Sequence, residues 1–348
     1  MRSPAALWLP WNMHRRFAIL IPSVFLSLGI IHAADFTLAA TPETVCWGYY
    51  WAKAKPALHL HSGDTATIGT LVTTSPEALS AHGLPDQEIQ ASLKAIYEKV
   101  TDKGPGGHIL TGPVFVEEAE PGDTLEVRIQ KITLDVPYAY NAFSPGRGFL
   151  PDEFPYARYK IIPLDREALT ANFAPGVVIP LHPFFGSMGV APPTGRVDSA
   201  PPYVHAGNMD NKELVEGTTL FLPVHVKGAL FEVGDGHAGQ GNGEVDITAM
   251  ETSLTGAFQF IVHKGKQLNW PRAETPTHYI TMGFNQDLTK ATELAVRDMI
   301  EFLVTEKHMS RDDAYMLTSV AVDVDITQLV DGNKGVHAMC PKAIFRNK

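Results

Sequence analysis

Short stretches of alternating apolar and polar residues recur along most of the chain, and they predict a protein built mainly from β-strands. The clearest stretch is Thr124–Leu134, where TLEVRIQKITL alternates over its whole length, so that successive side chains face opposite sides of a sheet. Further strands are expected at residues 66–73, 218–226 and 257–263. Turns rich in glycine and proline separate these stretches, which is typical of sheet-rich folds.

Helical spacing of apolar residues is confined to a few segments, and the longest lie late in the chain. Residues 88–100 and 288–306 each place apolar side chains on one helical face. Ser310 precedes two acidic residues and an apolar run, which predicts another helix with Ser310 as its N-cap. A short helical turn is expected at residues 165–173. The pattern therefore predicts a mainly β fold, with a β-sandwich core to about residue 285 and a smaller α+β portion over residues 286–348.

The first 34 residues differ from the rest and have the layout of a secretory signal peptide. Arg15 and Arg16 precede an apolar run over residues 17–31, and small residues follow it. The run is short for a membrane span. We expect cleavage near Ala34, a catalytic unit over residues 35–348, and a periplasmic or secreted protein without stable membrane association after cleavage. An uncleaved anchor is the alternative.

Charge and cysteine content narrow the class of protein further. The formal net charge is −10, which argues against nucleic-acid binding because that needs a basic surface. Export permits a disulfide between Cys46 and Cys340, but two buried free thiols fit the sequence as well. Neither cysteine lies in a recognisable nucleophile motif.

The densest group of possible ligands and proton-transfer residues lies within residues 205–251, where two glycine-rich turns flank a strand. Asp235 and His237 are two residues apart in GDGH, and the neighbouring glycines allow both side chains to face one side. Glu244 follows at the end of GDGHAGQGNGE. The alternative is a surface hairpin whose polar residues only fix the turns. The residues alone leave both interpretations open.

Other candidates come from the earlier turn, HAGNMD, and from two strand ends. Asn208 and Asp210 lie in that turn, and Asp210 could bind a metal or cap the segment that follows. His108 lies between a glycine-rich loop and a strand, where it could be an imidazole ligand or a structural histidine. Glu117 and Glu118 follow a strand, and together they could form a paired-carboxylate site or part of a solvated turn.

These residue types suit metal-assisted hydrolysis of an amide. That reaction needs an activated nucleophile, a group that polarises the carbonyl and a proton for the leaving amine. A metal-bound water supplies the first two, and a nearby carboxylate can move the proton. The sequence contains no GxSxG nucleophile elbow, P-loop, HExxH motif or dinucleotide fingerprint. The stretch over residues 205–251 is therefore a candidate for such chemistry, and the surface hairpin remains the alternative.

Several long runs resemble the acetamidase/formamidase family. They are TGPVFVEEAEPGDTLEVRI (residues 111–129), HPFFGSMGVAPP (182–193) and AGNMDNKELVEGTTLFLPVHVKGALFEVGDGHAGQGNGEV (206–245), supported by GVHAMCPKAIF (335–345). The resemblance implies a jelly-roll-like β-sandwich with a smaller α/β portion, homo-oligomers, and a divalent metal, for which zinc is the favoured ion. It also implies hydrolysis of short amides to a carboxylate and ammonia.

The resemblance points to six polar residues of this sequence, all of which lie within the matched runs or, for one histidine, just ahead of the first run. They are His108, Asn208, Asp210, Asp235, His237 and Glu244. Their ligand chemistry leads us to predict that His108, Asp210 and His237 bind the metal and that Asn208 and Asp235 contact the substrate. Glu244 is the predicted general base, which later protonates the leaving ammonia. Glu117 is the reserve candidate for that base.

The leading hypothesis is an exported amidase that hydrolyses a small linear amide, of the formamide or acetamide type, with metal-activated water. One alternative keeps the chemistry but takes a lactam or an N-formyl amide as substrate. A second alternative, from another class, is a non-catalytic β-sandwich module that binds a ligand with the same loops.

Overall fold

The computed structural model describes residues 34–346, so the expected signal peptide lies outside the described residues. Twenty-two strands form most of the regular structure. They are β1 (Asp35–Leu38), β2 (Val45–Trp47), β3 (Tyr49–Trp51), β4 (Leu58–Leu60), β5 (Thr65–Gly69), β6 (Ile109–Val116), β7 (Thr124–Leu134), β8 (Tyr138–Phe143), β9 (Arg158–Asp165), β10 (Thr170–Ala174), β11 (Val177–Pro180), β12 (Phe184–Gly189), β13 (Arg196–Asp198), β14 (Ala206–Asn208), β15 (Thr219–Pro223), β16 (Phe231–His237), β17 (Glu251–Thr252), β18 (Leu254–His263), β19 (Arg272–Glu274), β20 (His278–Asn285), β21 (Asp323–Gln328) and β22 (Lys334–Pro341).

The helices are few, and the two longest lie late in the chain. They are α1 (Pro76–Ala81), α2 (Ala91–Lys99), α3 (Leu288–Lys307) and α4 (Arg311–Ala321), with 3-10 turns at Asp86–Glu88 and Lys342–Ile344. The prediction of a mainly β fold with helices late in the chain is confirmed. Ser310 caps α4 as predicted, since its hydroxyl accepts the Asp313 backbone N–H.

The helical turn predicted at residues 165–173 is wrong, because that segment is the hairpin between β9 and β10. One Asp165 carboxylate oxygen accepts the backbone N–H groups of Glu167 and Ala168, at 3.0 and 2.8 Å. An Asp that bonds to the backbone two and three residues ahead reverses the chain and competes with a helix. Local turn chemistry therefore outweighed the spacing of the apolar residues.

Two large sheets form a sandwich around one shared apolar core. The nine-stranded sheet has the order β1-β5-β18-β7-β15-β19-β20-β22-β21. The eleven-stranded sheet has the order β11-β10-β9-β8-β17-β16-β12-β14, and β6 joins β2 and β4 to β16. Phe185 and Phe231 of the second sheet meet Phe258 of the first, with ring centroids 5.3 and 6.1 Å apart. Burial of such aromatic side chains holds the two sheets together.

The C-terminal residues continue the nine-stranded sheet and add the two longer helices to it. Strands β22 and β21 extend the sheet beyond β20, and α3 packs on β20 and β22. Close contact there requires Gly283, since a Cβ atom on it would lie 2.2 Å from the Ala291 carbonyl oxygen of α3. Among the described residues, no helix is long and apolar enough to cross a membrane. Cys46 and Cys340 are both buried and free.

Candidate active site

Strand β16 lies inside the eleven-stranded sheet and presents two of the predicted site residues, Asp235 and His237. It pairs with β12 on one side, and with β6 and β17 on the other. The short strand β17 places Glu251 directly opposite His237 in the antiparallel register. Glu251 is held in turn by the Ala249 backbone N–H, which donates to its Oε1 atom at 2.9 Å. The hairpin thus brings a second carboxylate to the histidine.

Gln240 fixes the tautomer of His237. The Gln240 amide nitrogen donates to the Asp210 carbonyl oxygen at 2.8 Å, so its Oε1 atom faces His237 Nδ1, 3.0 Å away. Because Oε1 can only accept, Nδ1 carries the proton and donates it. The Nε2 atom then has a free lone pair, and it is fully buried with no hydrogen-bond partner among residues 34–346. A buried imidazole nitrogen of this kind suits a metal ligand or a proton acceptor.

The carboxylates nearest to His237 approach Nε2 without forming hydrogen bonds to it. Asp235 Oδ2 and Glu251 Oε2 are each 3.3 Å from Nε2, yet Nε2 has no partner with hydrogen-bond geometry within the described chain. Ligand atoms about 2.0–2.1 Å from a zinc ion at tetrahedral corners stand about 3.3 Å apart. Both distances from Nε2 match that spacing, and the ligand atoms of all three residues lie within 4.8 Å of one another, so the group could hold one cation.

A second group shares the same histidine and comprises Asp210, His237 and Glu244, whose ligand atoms all lie within 4.8 Å of one another. The Asn208 side-chain amide donates to Asp210 Oδ2 at 2.8 Å. That leaves Asp210 Oδ1 and Glu244 Oε2 buried and without partners in the described region. Asp210, Asp235 and Glu244 all adopt left-handed backbone conformations, with φ of 49°, 55° and 43°. Backbone strain of this kind concentrates at functional sites.

Asp331 comes to the site from the C-terminal hairpin between β21 and β22. The glycine-rich loop before Glu244 is bonded to that hairpin, because the Gly243 N–H donates to the Thr327 carbonyl oxygen and the Gly243 carbonyl oxygen accepts from the Leu329 N–H. Asp331 Oδ2 is another buried oxygen without a partner in the described residues. We call His108, Asp210, Asp235, His237, Glu244, Glu251 and Asp331 the carboxylate–histidine cluster.

Burial and mutual repulsion disturb most of the acids in this cluster. Burial, followed by the charges of Asp331 and Asp235, raises the pKa of Asp210 well above its usual value. Burial, followed by the charge of Asp210, does the same to the pKa of Glu244. Burial raises the pKa of Asp331 to about 7. Five carboxylates cannot all be ionised in a buried space unless protons or cations neutralise them.

Asp235 and His237 form the most polarised pair in the cluster. Burial opposes the charge on Asp235, but His108 and His237 outweigh it and lower the pKa of this carboxyl. Burial likewise opposes the charge on His237, but Glu251 and Asp235 outweigh it and raise the pKa of the imidazole well above its usual value. His237 Nε2 is thus in a field that attracts positive charge, either a proton or a cation.

The structure brings most of the residues named from the sequence together, although not with the predicted partners. His108 lies beside Asp235, with 3.8 Å between its Nε2 atom and Asp235 Oδ2, and its Nδ1 atom is 2.9 Å from the Ser199 hydroxyl. It is therefore adjacent to the Asp235 side of the cluster rather than to Asp210. Asn208 contacts Asp210, as described above, and Glu244 joins the ligand atoms directly.

Glu117 lies elsewhere. It follows the far end of β6 from His108, roughly 25–30 Å along an extended strand, and its exposed carboxylate is 2.8 Å from His59 Nδ1. Glu118 binds His61 in the same way. Glu117 therefore has no place in the cluster, because the strand that carries it leads away from the site.

A cavity of about 760 Å³ opens beside the cluster, and Glu244 is the cluster residue that lines it. Much of its lining comes from the hairpin of β10 and β11 and from residues 239–250, which connect β16 to β17 and include the glycine-rich loop. Apolar lining residues are Phe173, Ile179, Pro180, Val215, Val245 and Met250; polar ones include Asn141, His182, Lys212 and Gln240. A pocket that combines apolar side chains with several polar groups is typical of small-molecule sites.

The fold and the site define a class of β-sandwich protein with a buried carboxylate–histidine cluster at the wall of an open cavity. The sequence model of the Acetamidase/Formamidase family matches residues 100–200 and 193–347. The chain belongs to this family.

Related proteins of known sequence and structure agree with that membership. Formamidase from Methylophilus methylotrophus is 30% identical over an alignment of 193 residues, and the match covers 40% of this chain and 47% of that protein. The match thus spans about half the length of this relative. The crystal structure of acetamidase from Bacillus halodurans is 29% identical, with a TM-score of 0.76, and covers 89% of this chain and 98% of its own. A predicted acetamidase/formamidase from Thermoanaerobacter tengcongensis is 28% identical, with a TM-score of 0.77 over 90% and 97% of the two chains.

Proposed function

We propose that this protein is an amidase that hydrolyses short linear amides to a carboxylate and ammonia, with the help of a divalent cation. The observation that carries the proposal is the convergence of Asp235 Oδ2 and Glu251 Oε2 on His237 Nε2, at 3.3 Å and without hydrogen bonds. Mixed nitrogen and oxygen ligands suit zinc among several divalent metals. The family relationship supports the amide as substrate.

In this proposal, Asp235, His237 and Glu251 would hold the cation, and Asp210 borders the same space. This set replaces His108 of the sequence prediction with two carboxylates, because His108 approaches only Asp235. A divalent cation there would polarise the amide carbonyl and lower the pKa of water. The Nδ1–H bond to Gln240 keeps the imidazole oriented, and Nε2 has no hydrogen-bond partner among the described residues that would compete with a cation.

Glu244 is the proposed proton carrier, because its carboxylate lies both in the cluster and at the cavity wall. It would take a proton from the attacking water and return it to the leaving nitrogen, so that ammonia departs as the carboxylate forms. Burial raises its pKa, which moves a carboxylate towards the range in which a base can work at neutral pH. Asn208 would fix Asp210 rather than contact the substrate, and Asp235 would act as a ligand.

The test combines metal analysis with ammonia release from formamide and acetamide. We expect purified enzyme to contain a divalent metal, chelation to abolish ammonia release, and zinc to restore it. Full turnover by a metal-stripped enzyme would eliminate the metal mechanism. Amide binding at equilibrium without any ammonia would favour the non-catalytic binding module instead.

The size of the cavity supports a second candidate reaction of the same kind. A volume of about 760 Å³ is typical of drug-sized ligands and far exceeds formamide. A lactam or an N-formyl amide would also fit, and ring opening of a five-membered lactam measured beside ammonia release separates these substrates.

Two further expectations concern the whole protein rather than the site. The leader sequence supports export to the periplasm or the medium, which cell fractionation with N-terminal sequencing of the mature protein would test. The family relationship supports a homo-oligomer, for which light scattering of the purified protein is the direct measurement.

A further inference from the structure

A second cavity, of about 410 Å³, lies under the loop between β8 and β9. Its wall includes three rings stacked in sequence. The ring centroids of His82 and Tyr159 are 4.3 Å apart, with 20° between the ring planes. Those of Tyr159 and Tyr140 are 4.7 Å apart, with 9° between the planes. Thr248 lines both this cavity and the one beside Glu244. The two cavities are therefore neighbours, separated by the segment that follows the glycine-rich loop.

Two arginines, Arg147 and Arg158, also line the second cavity, and no acidic residue does. Neither forms a salt bridge with a residue in the described range 34–346. Other arginines of the chain do pair with carboxylates there, among them Arg128, Arg196 and Arg297. Two arginines thus line one cavity without an acidic partner in the described part of the chain, although the net charge is −10.

We propose that this second cavity binds a small organic anion, such as an aromatic carboxylate. Guanidinium groups bind carboxylates through paired N–H donors, and Arg147 and Arg158 supply them. The stacked rings give a planar ligand an apolar wall, and the Tyr140 and Tyr159 hydroxyls are already bonded to Thr73 and Thr74. The anion site does not depend on the amide chemistry proposed above.

Calorimetric titration of the full-length protein with benzoate tests the site directly. We expect benzoate to bind, and benzyl alcohol, which has the ring but no charge, to bind at least about tenfold more weakly. The double variant R147Q/R158Q should raise the Kd for benzoate about tenfold. The matched control R297Q removes an exposed arginine on α3 that pairs with Glu293, and it should leave the Kd unchanged.

Absence of benzoate binding to the wild-type protein, or an equal Kd in the double variant, would overturn the proposal. Both arginines are exposed, so the variants should fold, and a melting curve for each, together with the single variants R147Q and R158Q, keeps the comparison interpretable. These binding measurements remain valid even if the protein hydrolyses no amide.

Kinetics distinguish two sources of the anion. Succinamate carries both an amide and a free carboxylate, whereas butyramide is a neutral amide of the same length. A KM raised about tenfold for succinamate alone in R147Q/R158Q would identify the substrate's own carboxylate as the anion. Unchanged KM values for both amides, with weakened benzoate binding, would identify a separate anionic ligand. Either result supports the anion site.

Discussion

Gly186 on β12 offers a sharp test of the carboxylate–histidine cluster, because its missing side chain leaves room for the candidate ligands. A Cβ atom at this position would lie 2.4 Å from Asp210 Oδ1, 2.6 Å from Asp235 Oδ2 and 2.8 Å from His237 Cε1. Real Cβ atoms essentially never approach other atoms closer than 3.0 Å. In G186A, all three atoms would therefore have to move, and Asp210 Oδ1 would move furthest, by about 0.6 Å, the difference between 2.4 and 3.0 Å.

A shift of that size exceeds the tolerance of a metal site, whose bond lengths hold to within about 0.2 Å. We expect G186A to bind zinc poorly and to lose activity by about 100-fold, as misplacement of catalytic groups by about 1 Å does. The cost to stability should be smaller. Overpacking of a buried site costs about 1–3 kcal/mol, so the melting temperature should fall by only a few degrees.

The assay measures ammonia release, metal content and the melting temperature on the same preparation. G69A is the matched control, since a Cβ atom on Gly69 meets only Thr255 Oγ1, at 3.7 Å. Both glycines lie within strands, and neither has a positive φ. If G186A retained the metal content and the turnover of G69A, the cluster would not be the catalytic site.

Three further outcomes follow from the same structure. E244Q should reduce turnover by about 1,000-fold with an unchanged fold, whereas E117Q should stay within twofold of wild type; equal losses would contradict the placement of the base. Addition of zinc to metal-free protein should raise the melting temperature in proportion to the logarithm of its concentration, and no rise would argue against a structured cation site. Burial lowers the pKa of His205 from 6.5 to about 4, so the unfolded chain binds a proton first as the pH falls. About 2 kcal/mol of the free energy of unfolding should therefore be lost between pH 7 and 5. Urea unfolding at both pH values should show a smaller loss in H205Q than in the wild type, and an identical loss would contradict the lowered pKa of His205.

Sequence patterns predicted the fold well where the side-chain period was strict. Strand Thr124–Leu134 and helix α3 begin at the expected residues, because each buries one face against a large apolar surface. The segment over residues 165–173 failed because one Asp side chain closed a turn. The pairing order of the strands across two sheets depends on long-range contacts that no local period encodes.

The residues of the site could be predicted only in part from the sequence, because the register between strands determines which side chains meet. The sequence left GDGHAGQGNGE open as either a site or a hairpin; in the structure it spans the end of β16 and the connection to β17, and it brings Asp235, His237 and Glu244 into one cluster. Recognition of the hairpin register would have revealed Glu251, because an antiparallel return from His237 places it directly opposite. His108 reaches Asp235 through the pairing of Gly234 with Leu110 on β6. Asp331 gave no signal, because it arrives from a different hairpin in the other sheet.

The hydrogen bonds that join the glycine-rich loop to the C-terminal hairpin have a consequence for biosynthesis. Residues of the cluster first appear in the chain at His108, but the last of them, Asp331, is added only after twenty-one of the strands described above. A nascent chain could assemble much of the sandwich and still lack both Asp331 and the Thr327 carbonyl that anchors Gly243. Catalytic competence should therefore appear only after the hairpin between β21 and β22 has been made, and a single proteolytic cut in that hairpin should abolish activity while most of the apolar core stays intact.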